Sequence, residues 1–239
     1  MTFLRHKEPN TGWNNKGLIA LLGSVGAFHD SDHYVYHSGR HGKLYINKDA
    51  LYLHPQETDR VALSLAFATL DVDVDVVVGS PIGGVILAHA VARALMELAN
   101  KFDVKSNEEI QEIQAVQQVE EIQVAYAEKQ ADDLGHEFKR DYAQHIRDRN
   151  VLVVEDIVTT GKTARSLVQA VHRNDGNVVG CVCIVNRTGK KNPVNQRSLK
   201  IPFFHSLLQF DEPTYSPSRC PLCKQGIPIN TTLGYGAKT

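Results

Sequence analysis

The densest chemistry in the chain lies in Val151-Leu-Val-Val-Glu-Asp-Ile-Val-Thr-Thr-Gly-Lys-Thr163. Four apolar residues in a row read as a buried strand, so Glu155 and Asp156 emerge at its carboxyl end, where open α/β sheets collect ligands. Adjacent carboxylates accept hydrogen bonds, which suits a vicinal diol such as that of a ribose. Next, Thr159, Thr160, Gly161, Lys162 and Thr163 place hydroxyls and a glycine at the entrance to a helix. Free backbone N–H groups and the helix dipole favour a phosphate there. Taken alone, Thr-Thr-Gly is an ordinary helix entry with threonine caps. The acidic pair before it is what argues for a sugar-phosphate site. A nucleotide P-loop fails on the residues, because Asp156 stands where that loop needs its first glycine.

A second turn, Gly79-Ser-Pro-Ile-Gly-Gly84, also follows an apolar run. Its Ser80, Gly83 and Gly84 would let backbone amides approach a diphosphate closely, although a plain tight turn has the same composition. Cysteine offers less. Cys220-Pro-Leu-Cys223 has the spacing of half a tetrahedral zinc site, and no second Cys-x-x-Cys completes it. Cys181 and Cys183 fall on one face of an expected buried strand, where a small apolar role is the default, and His205 is the other conceivable ligand.

The elements that position these residues alternate in type. Gly17 to Phe28 and Thr58 to Leu70 have helical apolar spacing, and Tyr34 to Lys48 reads as two short strands around a Ser-Gly-Arg-His-Gly turn. A strand is expected over Asp71 to Val78, and a helix from about Val85 to Ala99. Asn107 to Gln123 is Glu/Gln-rich with apolar residues every third position, an inserted helix or arm. Val124 to Glu128 reads as a strand, Lys129 to Ala143 as a polar loop, Thr163 to Asn174 as a helix and Val178 to Val185 as a strand. Strands alternating with helices imply an α/β fold with a mainly parallel sheet flanked by helices. One domain is expected over residues 1–210, with an insert at about 105–123. A Pro/Ser/Gly-rich tail over 211–239 carries the Cys-x-x-Cys.

Composition narrows the partners. Across 239 residues, 26 basic against 27 acidic side chains leave a net charge of −1, without the footprint of a nucleic-acid or anionic-membrane binder. The N-terminus has no apolar leader, and the apolar stretch Val76 to Leu95 is broken by glycine, proline and Arg93. A cytoplasmic protein with reduced thiols and small-molecule substrates is expected.

The run of apolar residues, Glu-Asp, two apolar residues and Thr-Thr-Gly-x-Thr resembles the motif by which type I phosphoribosyltransferases bind phosphoribosyl pyrophosphate (PRPP). The resemblance covers about Gly17 to Arg187 and implies that family's fold, with a small hood from about 17–56. It implies PRPP with Mg²⁺ as substrate, Glu155 and Asp156 on the ribose, Thr159 to Thr163 on the 5-phosphate, and Ser80, Gly83 and Gly84 on the pyrophosphate. The N-terminal third looks most like the orotate phosphoribosyltransferases, through Gly26-Ala-Phe28, Ser38-Gly-Arg-His41 and Tyr45-Ile-Asn-Lys48. That likeness puts Ser38, Arg40 and Tyr45 among the substrate contacts and Arg187 on the orotate carboxylate, for which a bidentate guanidinium is suited. In the family a mobile loop closes on pyrophosphate from the neighbouring subunit of a dimer. Lys129 as a catalytic residue, with Lys139 and Arg140, would serve that role here. Two positions depart from the pattern: His37 replaces the usual Lys, and Glu128-Lys129 the usual Arg-Lys. Transfer to a purine or another base, and a PRPP-sensing regulator without catalysis, are the alternatives; the second would require a basic DNA-binding element that is not apparent.

Overall fold

Five parallel strands build the central sheet, in the order β11-β10-β9-β5-β6. The computed structural model describes residues 15–106 (backbone only over 101–106), 121–130, 135–189 and 192–236. Helix α1 (Asn15–Ser24) comes first, followed by short strands β1 (Phe28–His29), β2 (Tyr34–Val35), β3 (His41–Gly42) and β4 (Tyr45–Ile46). These form two antiparallel pairs, β1 with β4 and β2 with β3. Helices α2 (Lys48–Tyr52) and α3 (Pro55–Phe67) lead to β5 (Val76–Gly79), α4 (Gly83–Ser106) and β6 (Gln123–Tyr126). A hairpin of β7 (Glu128–Lys129) and β8 (His136–Glu137), then α5 (Tyr142–Ile146), precede β9 (Asn150–Val158) and α6 (Lys162–Arg173). Strand β10 (Asn177–Asn186), α7 (Gln196–Leu199), β11 (Phe204–Gln209), a 3₁₀ turn at Pro217–Arg219 and α8 (Pro221–Lys224) complete the chain.

Side chains alternate across a strand, so the continuous apolar run of β9 feeds two cores at once. Leu152 and Val154 join the larger core with residues of α1, α3 and α4, whereas Val151 and Val153 join the second core with residues of α6. The sheet is thus covered on both faces, and β9 lies at its centre.

Several expected elements shift. The strand expected from Asp71 begins at Val76; at its entrance the Asp75 backbone bonds to Asn150 and Gln123, and the side chains of Asp73 and Asp75 turn to Asn150. The Asp75 carboxylate accepts from the Asn150 backbone N–H at 2.7 Å, and Asp73 accepts from the Asn150 side chain at 2.8 Å. The polar loop expected over Lys129 to Ala143 instead contains the end of β7, all of β8 and the start of α5. Burial explains the difference: His136 is buried with Nδ1 2.9 Å from the Ser166 hydroxyl, and Phe138 packs on the second core. Helix α2 and edge strand β11 were not expected from the pattern. The Glu/Gln-rich insert lies mostly outside the described residues. Among the described residues, no helix is long and apolar enough to cross a membrane.

Candidate active site

Strand β9 carries Glu155 and Asp156 to the carboxyl end of the sheet with only 4% and 5% of their surface exposed. Alternation separates the two carboxyl groups. Asp156 Oδ2 lies 2.7 Å from Lys48 Nζ, while its Oδ1 accepts from the Ile157 backbone N–H at 2.7 Å. Glu155 stands in register with Cys183 of β10 and is hydrogen-bonded by the Ser80 side chain. Its Oε1 has no hydrogen-bond partner among the described residues. Burial, reinforced by the Asp156 charge, pushes the Glu155 carboxyl up to about 8. Burial pulls the Lys48 ammonium down, but the Asp156 charge and hydrogen bond more than offset that and hold it above its ordinary range.

The Gly79–Gly84 turn presses directly on this pair. A side chain on Gly83 would come within 2.6 Å of Asp156 Oδ2 and 2.9 Å of the Tyr52 ring, and one on Gly84 within 2.7 Å of Ser80 Oγ. Only glycine allows so close an approach. The peptide between Pro81 and Ile82 is cis.

Beyond β9 the chain turns into α6. Gly161 has φ +71°, the left-handed region, and its Cα faces Val194 too closely for a β-carbon. Thr159 and Thr160 are exposed just before it. The Lys162 backbone N–H reaches the Thr160 hydroxyl at 3.3 Å, and Arg165 donates to the Thr160 carbonyl at 2.8 Å. Thr163 is half-buried in the first turn of α6. The first-turn amides of this 12-residue helix therefore open towards the same strand end as the carboxylates.

Arg187 follows β10, and its backbone N–H donates to the Val158 carbonyl at 2.7 Å. Its guanidinium lies 4.7 Å from the centre of the Tyr36 ring and donates to the Tyr36 hydroxyl at 2.9 Å. The Tyr36 hydroxyl in turn donates to the Leu44 carbonyl at 2.6 Å.

The structure therefore brings together Glu155, Asp156, Ser80, Gly83, Gly84 and Thr159 to Thr163 at one strand end, with Arg187 closing the next strand. Other expected residues go elsewhere. Arg40 is bound to the tail, through the side chain and carbonyl of Thr214. Ser38 is exposed in the β2–β3 turn, and Tyr45 stacks on Tyr34 with ring centres 5.2 Å apart. Lys129 is exposed on β7, while Lys139 and Arg140 gather around Glu128 at 3.7 and 3.6 Å. Three residues were missed as neighbours of the site: Lys48, Tyr52 and Tyr36. Tyr52 is half-buried, with its hydroxyl buried and unpartnered among the described residues, and burial followed by the Asp156 and Glu155 charges pushes its phenol upward.

Comparison with known proteins identifies the family and the fold. Residues 48–212 match the phosphoribosyl transferase domain family. The orotate phosphoribosyltransferase of Thermotoga maritima is 31% identical over 218 residues, covering 91% of this chain and 98% of its own. Among solved structures, the orotate phosphoribosyltransferase of Aeropyrum pernix superposes with a TM-score of 0.55 at 20% identity, covering 81% of this chain and 93% of that one. The Mycobacterium tuberculosis orotate phosphoribosyltransferase solved in complex with PRPP gives 0.53 at 19% identity, over 86% of this chain and 96% of that one. With a buried acidic pair at the end of a covered parallel sheet and relatives aligned over nearly their whole length, the chain belongs to the type I phosphoribosyltransferase family, beside its orotate phosphoribosyltransferases.

Proposed function

We propose that the protein transfers the 5-phosphoribosyl group from PRPP to orotate, releasing pyrophosphate and forming orotidine 5′-monophosphate. The observation that carries this reading is the convergence of three acceptor and donor sets at one strand end: the buried Glu155–Asp156 pair, the Gly79–Gly84 turn and the amino terminus of α6. Glu155 and Asp156 receive the ribose diol, filling the acceptor capacity left open at Glu155 Oε1. Lys48 offsets the Asp156 charge beside the sugar. Thr159 to Thr163 hold the 5-phosphate, and the amides around Ser80, Gly83 and Gly84 receive the pyrophosphate.

PRPP enters as its magnesium complex, and a pocket of carboxylate and hydroxyl oxygens suits that hard cation, which neutralises the departing diphosphate when bound. The base nitrogen bonds to the anomeric carbon as the bond to pyrophosphate breaks. Positive charge develops on the sugar and negative charge on the leaving group, so electrostatic stabilisation carries the step. Arg187, held over the Tyr36 ring and hydrogen-bonded to its hydroxyl, recognises the orotate carboxylate. Lys129, exposed on β7, and Lys139 and Arg140, just after β8, are the cations suited to reach the diphosphate of a neighbouring subunit in a homodimer, and the cytoplasm is the compartment where this substrate pair fits the chain.

The test is pyrophosphate release from PRPP and Mg²⁺ across a panel of orotate, uracil, adenine, guanine and hypoxanthine. Release with orotate alone is expected. Preference for a purine would reassign the base, and no release with any base would overturn the transferase reading.

A further inference from the structure

We propose that His33, His41, Cys220 and Cys223 form a structural zinc site that pins the C-terminal tail to the β2–β3 hairpin. Each contributes one ligand atom, and among the described residues these four atoms lie within 4.8 Å of one another. His33 Nε2 is 3.6 Å from Cys220 Sγ and 3.7 Å from Cys223 Sγ, and His41 Nδ1 is 3.3 Å from Cys223 Sγ. Tetrahedral zinc, with bonds of about 2.0–2.1 Å to nitrogen and about 2.3 Å to sulfur, holds nitrogen and sulfur roughly 3.6 Å apart and two nitrogens roughly 3.3 Å apart. The nitrogen–sulfur separations thus suit the ion as they stand. The His33–His41 pair, at 2.8 Å, has to open by about half an ångström.

Orientation argues the same way. His33 Nδ1 lies 2.8 Å from the Ile227 carbonyl, which can only accept, so Nδ1 carries the proton and the Nε2 lone pair faces the cluster. A carbonyl on the far nitrogen is the usual support of a metal-bound imidazole. All four cysteines of the chain are free, so no disulfide competes for Cys220 and Cys223. Two thiols and two imidazoles with no open position are the donor set of a structural zinc site, and His33, His41 and Cys220 are buried.

The backbone holds each half of the set in place. The Cys220–Cys223 turn closes through Lys224 N–H to the Cys220 carbonyl at 3.2 Å and Gly226 N–H to the Cys223 carbonyl at 3.0 Å. Gly226, at φ +68°, then reverses the chain so that Ile227 reaches His33. On the hairpin side, His41 and Tyr215 exchange backbone hydrogen bonds of 2.8 and 2.9 Å. The turn between the two histidines carries Tyr36, the ring that supports Arg187. Zinc would therefore stiffen the wall of the base site without touching substrate, making the four ligands positioning residues.

The experiment uses the full chain purified without a histidine tag, with zinc measured by plasma mass spectrometry after gel filtration. About one zinc per chain is expected in the wild type and in His37→Asn, a histidine of the same turn outside the set. Cys223→Ser should lower the zinc content at least about tenfold, the minimum that loss of even a supporting group costs such sites. Because that variant could fold poorly, Co²⁺ alone is also titrated into the metal-free wild type. One equivalent should give the visible absorption of a tetrahedral sulfur–nitrogen site and raise the Tm. Full zinc in Cys223→Ser, neither absorption nor a Tm rise with Co²⁺, or a Cys220–Cys223 disulfide in the purified chain would each overturn the proposal.

Discussion

At the carboxyl end of β9, two carboxylates are held away from water with more acceptor capacity than the chain fills: Glu155 Oε1 is unpartnered among the described residues, and Asp156 Oδ2 faces a lysine. At the junction of the β2–β3 hairpin and the tail, three of the four clustered groups are also buried, but they face one another, with His33 anchored from behind by a carbonyl. The first arrangement costs stability while empty and repays it when a ligand arrives, as sites of chemistry commonly do. The second has no opening for a substrate and suits a permanent crosslink. Buried polar groups alone therefore do not mark a catalytic site. Where the unfilled valences point does.

The sharpest break of this comparison comes from Asp156→Asn. It should cut kcat/KM for pyrophosphate release by about 100-fold or more, as loss of one preorganised charge typically does, while the melting temperature moves little. A variant that unfolded with its activity per folded molecule intact would place Asp156 in the structural class instead. Arg187→Ala comes next, because Arg187 is where the two regions meet through Tyr36. Loss of a charge-assisted bond of about 1.5–3 kcal/mol should raise the KM for orotate roughly 10- to 100-fold and leave that for PRPP within about twofold. Equal rises in both constants would mean that Arg187 supports the sheet end and not the base.

The contrast also explains what the sequence could and could not tell. The carboxylates, threonines and Gly161 lie within nine residues of one another, so chain connectivity alone brings them together, and the valines before them declare the strand. Lys48 and Tyr52 reach Asp156 from a five-residue helix about a hundred positions earlier, too short for any periodicity to show. The Asp-Val alternation before Val76 imitates a strand, but the aspartates spend their oxygens capping Asn150. The cysteine–histidine cluster is the least legible, since its cysteine-to-histidine pairs join positions 182 to 190 residues apart. Half of it shows in the sequence as Cys-x-x-Cys, and the other thiols and imidazole that the sequence offers, Cys181, Cys183 and His205, are held within the sheet by β10 and β11. His33 and His41 bracket a turn whose likeness to the family points to Ser38 and Arg40 instead.

A third prediction tests the cost of leaving valences open. The Glu155 carboxyl is raised from 4.5 to about 8 by burial and then by Asp156. A group raised on folding contributes stability that is complete below its unfolded value and lost as pH rises through its folded value. The ligand-free wild type should therefore lose stability between pH 4.5 and about 8, at up to about 1.4 kcal/mol per pH unit from this group. Glu155→Gln should lack that decline and melt higher than wild type at pH 8, at the expense of activity. Parallel pH profiles for the two proteins would show that Glu155 is already charged and compensated in the folded state.

The smallest effect distinguishes an unfilled valence meant for a ligand from one that is merely tolerated. The Tyr52 hydroxyl is buried and unpartnered among the described residues, yet its ring packs where a side chain on Gly83 would collide. The ring, and not the hydroxyl, is thus the part the site requires. Burying a hydroxyl without a hydrogen bond costs roughly 1–3 kcal/mol in proteins, and Phe keeps the shape while removing that cost. Tyr52→Phe should raise stability by about 1 kcal/mol in urea denaturation with an unchanged m-value, and leave kcat and both KM values within about twofold. If stability rose but the KM for PRPP climbed tenfold, the hydroxyl would join Glu155 Oε1 as a valence held open for the sugar, and the boundary between the tolerated and the functional at this strand end would move outward by one residue.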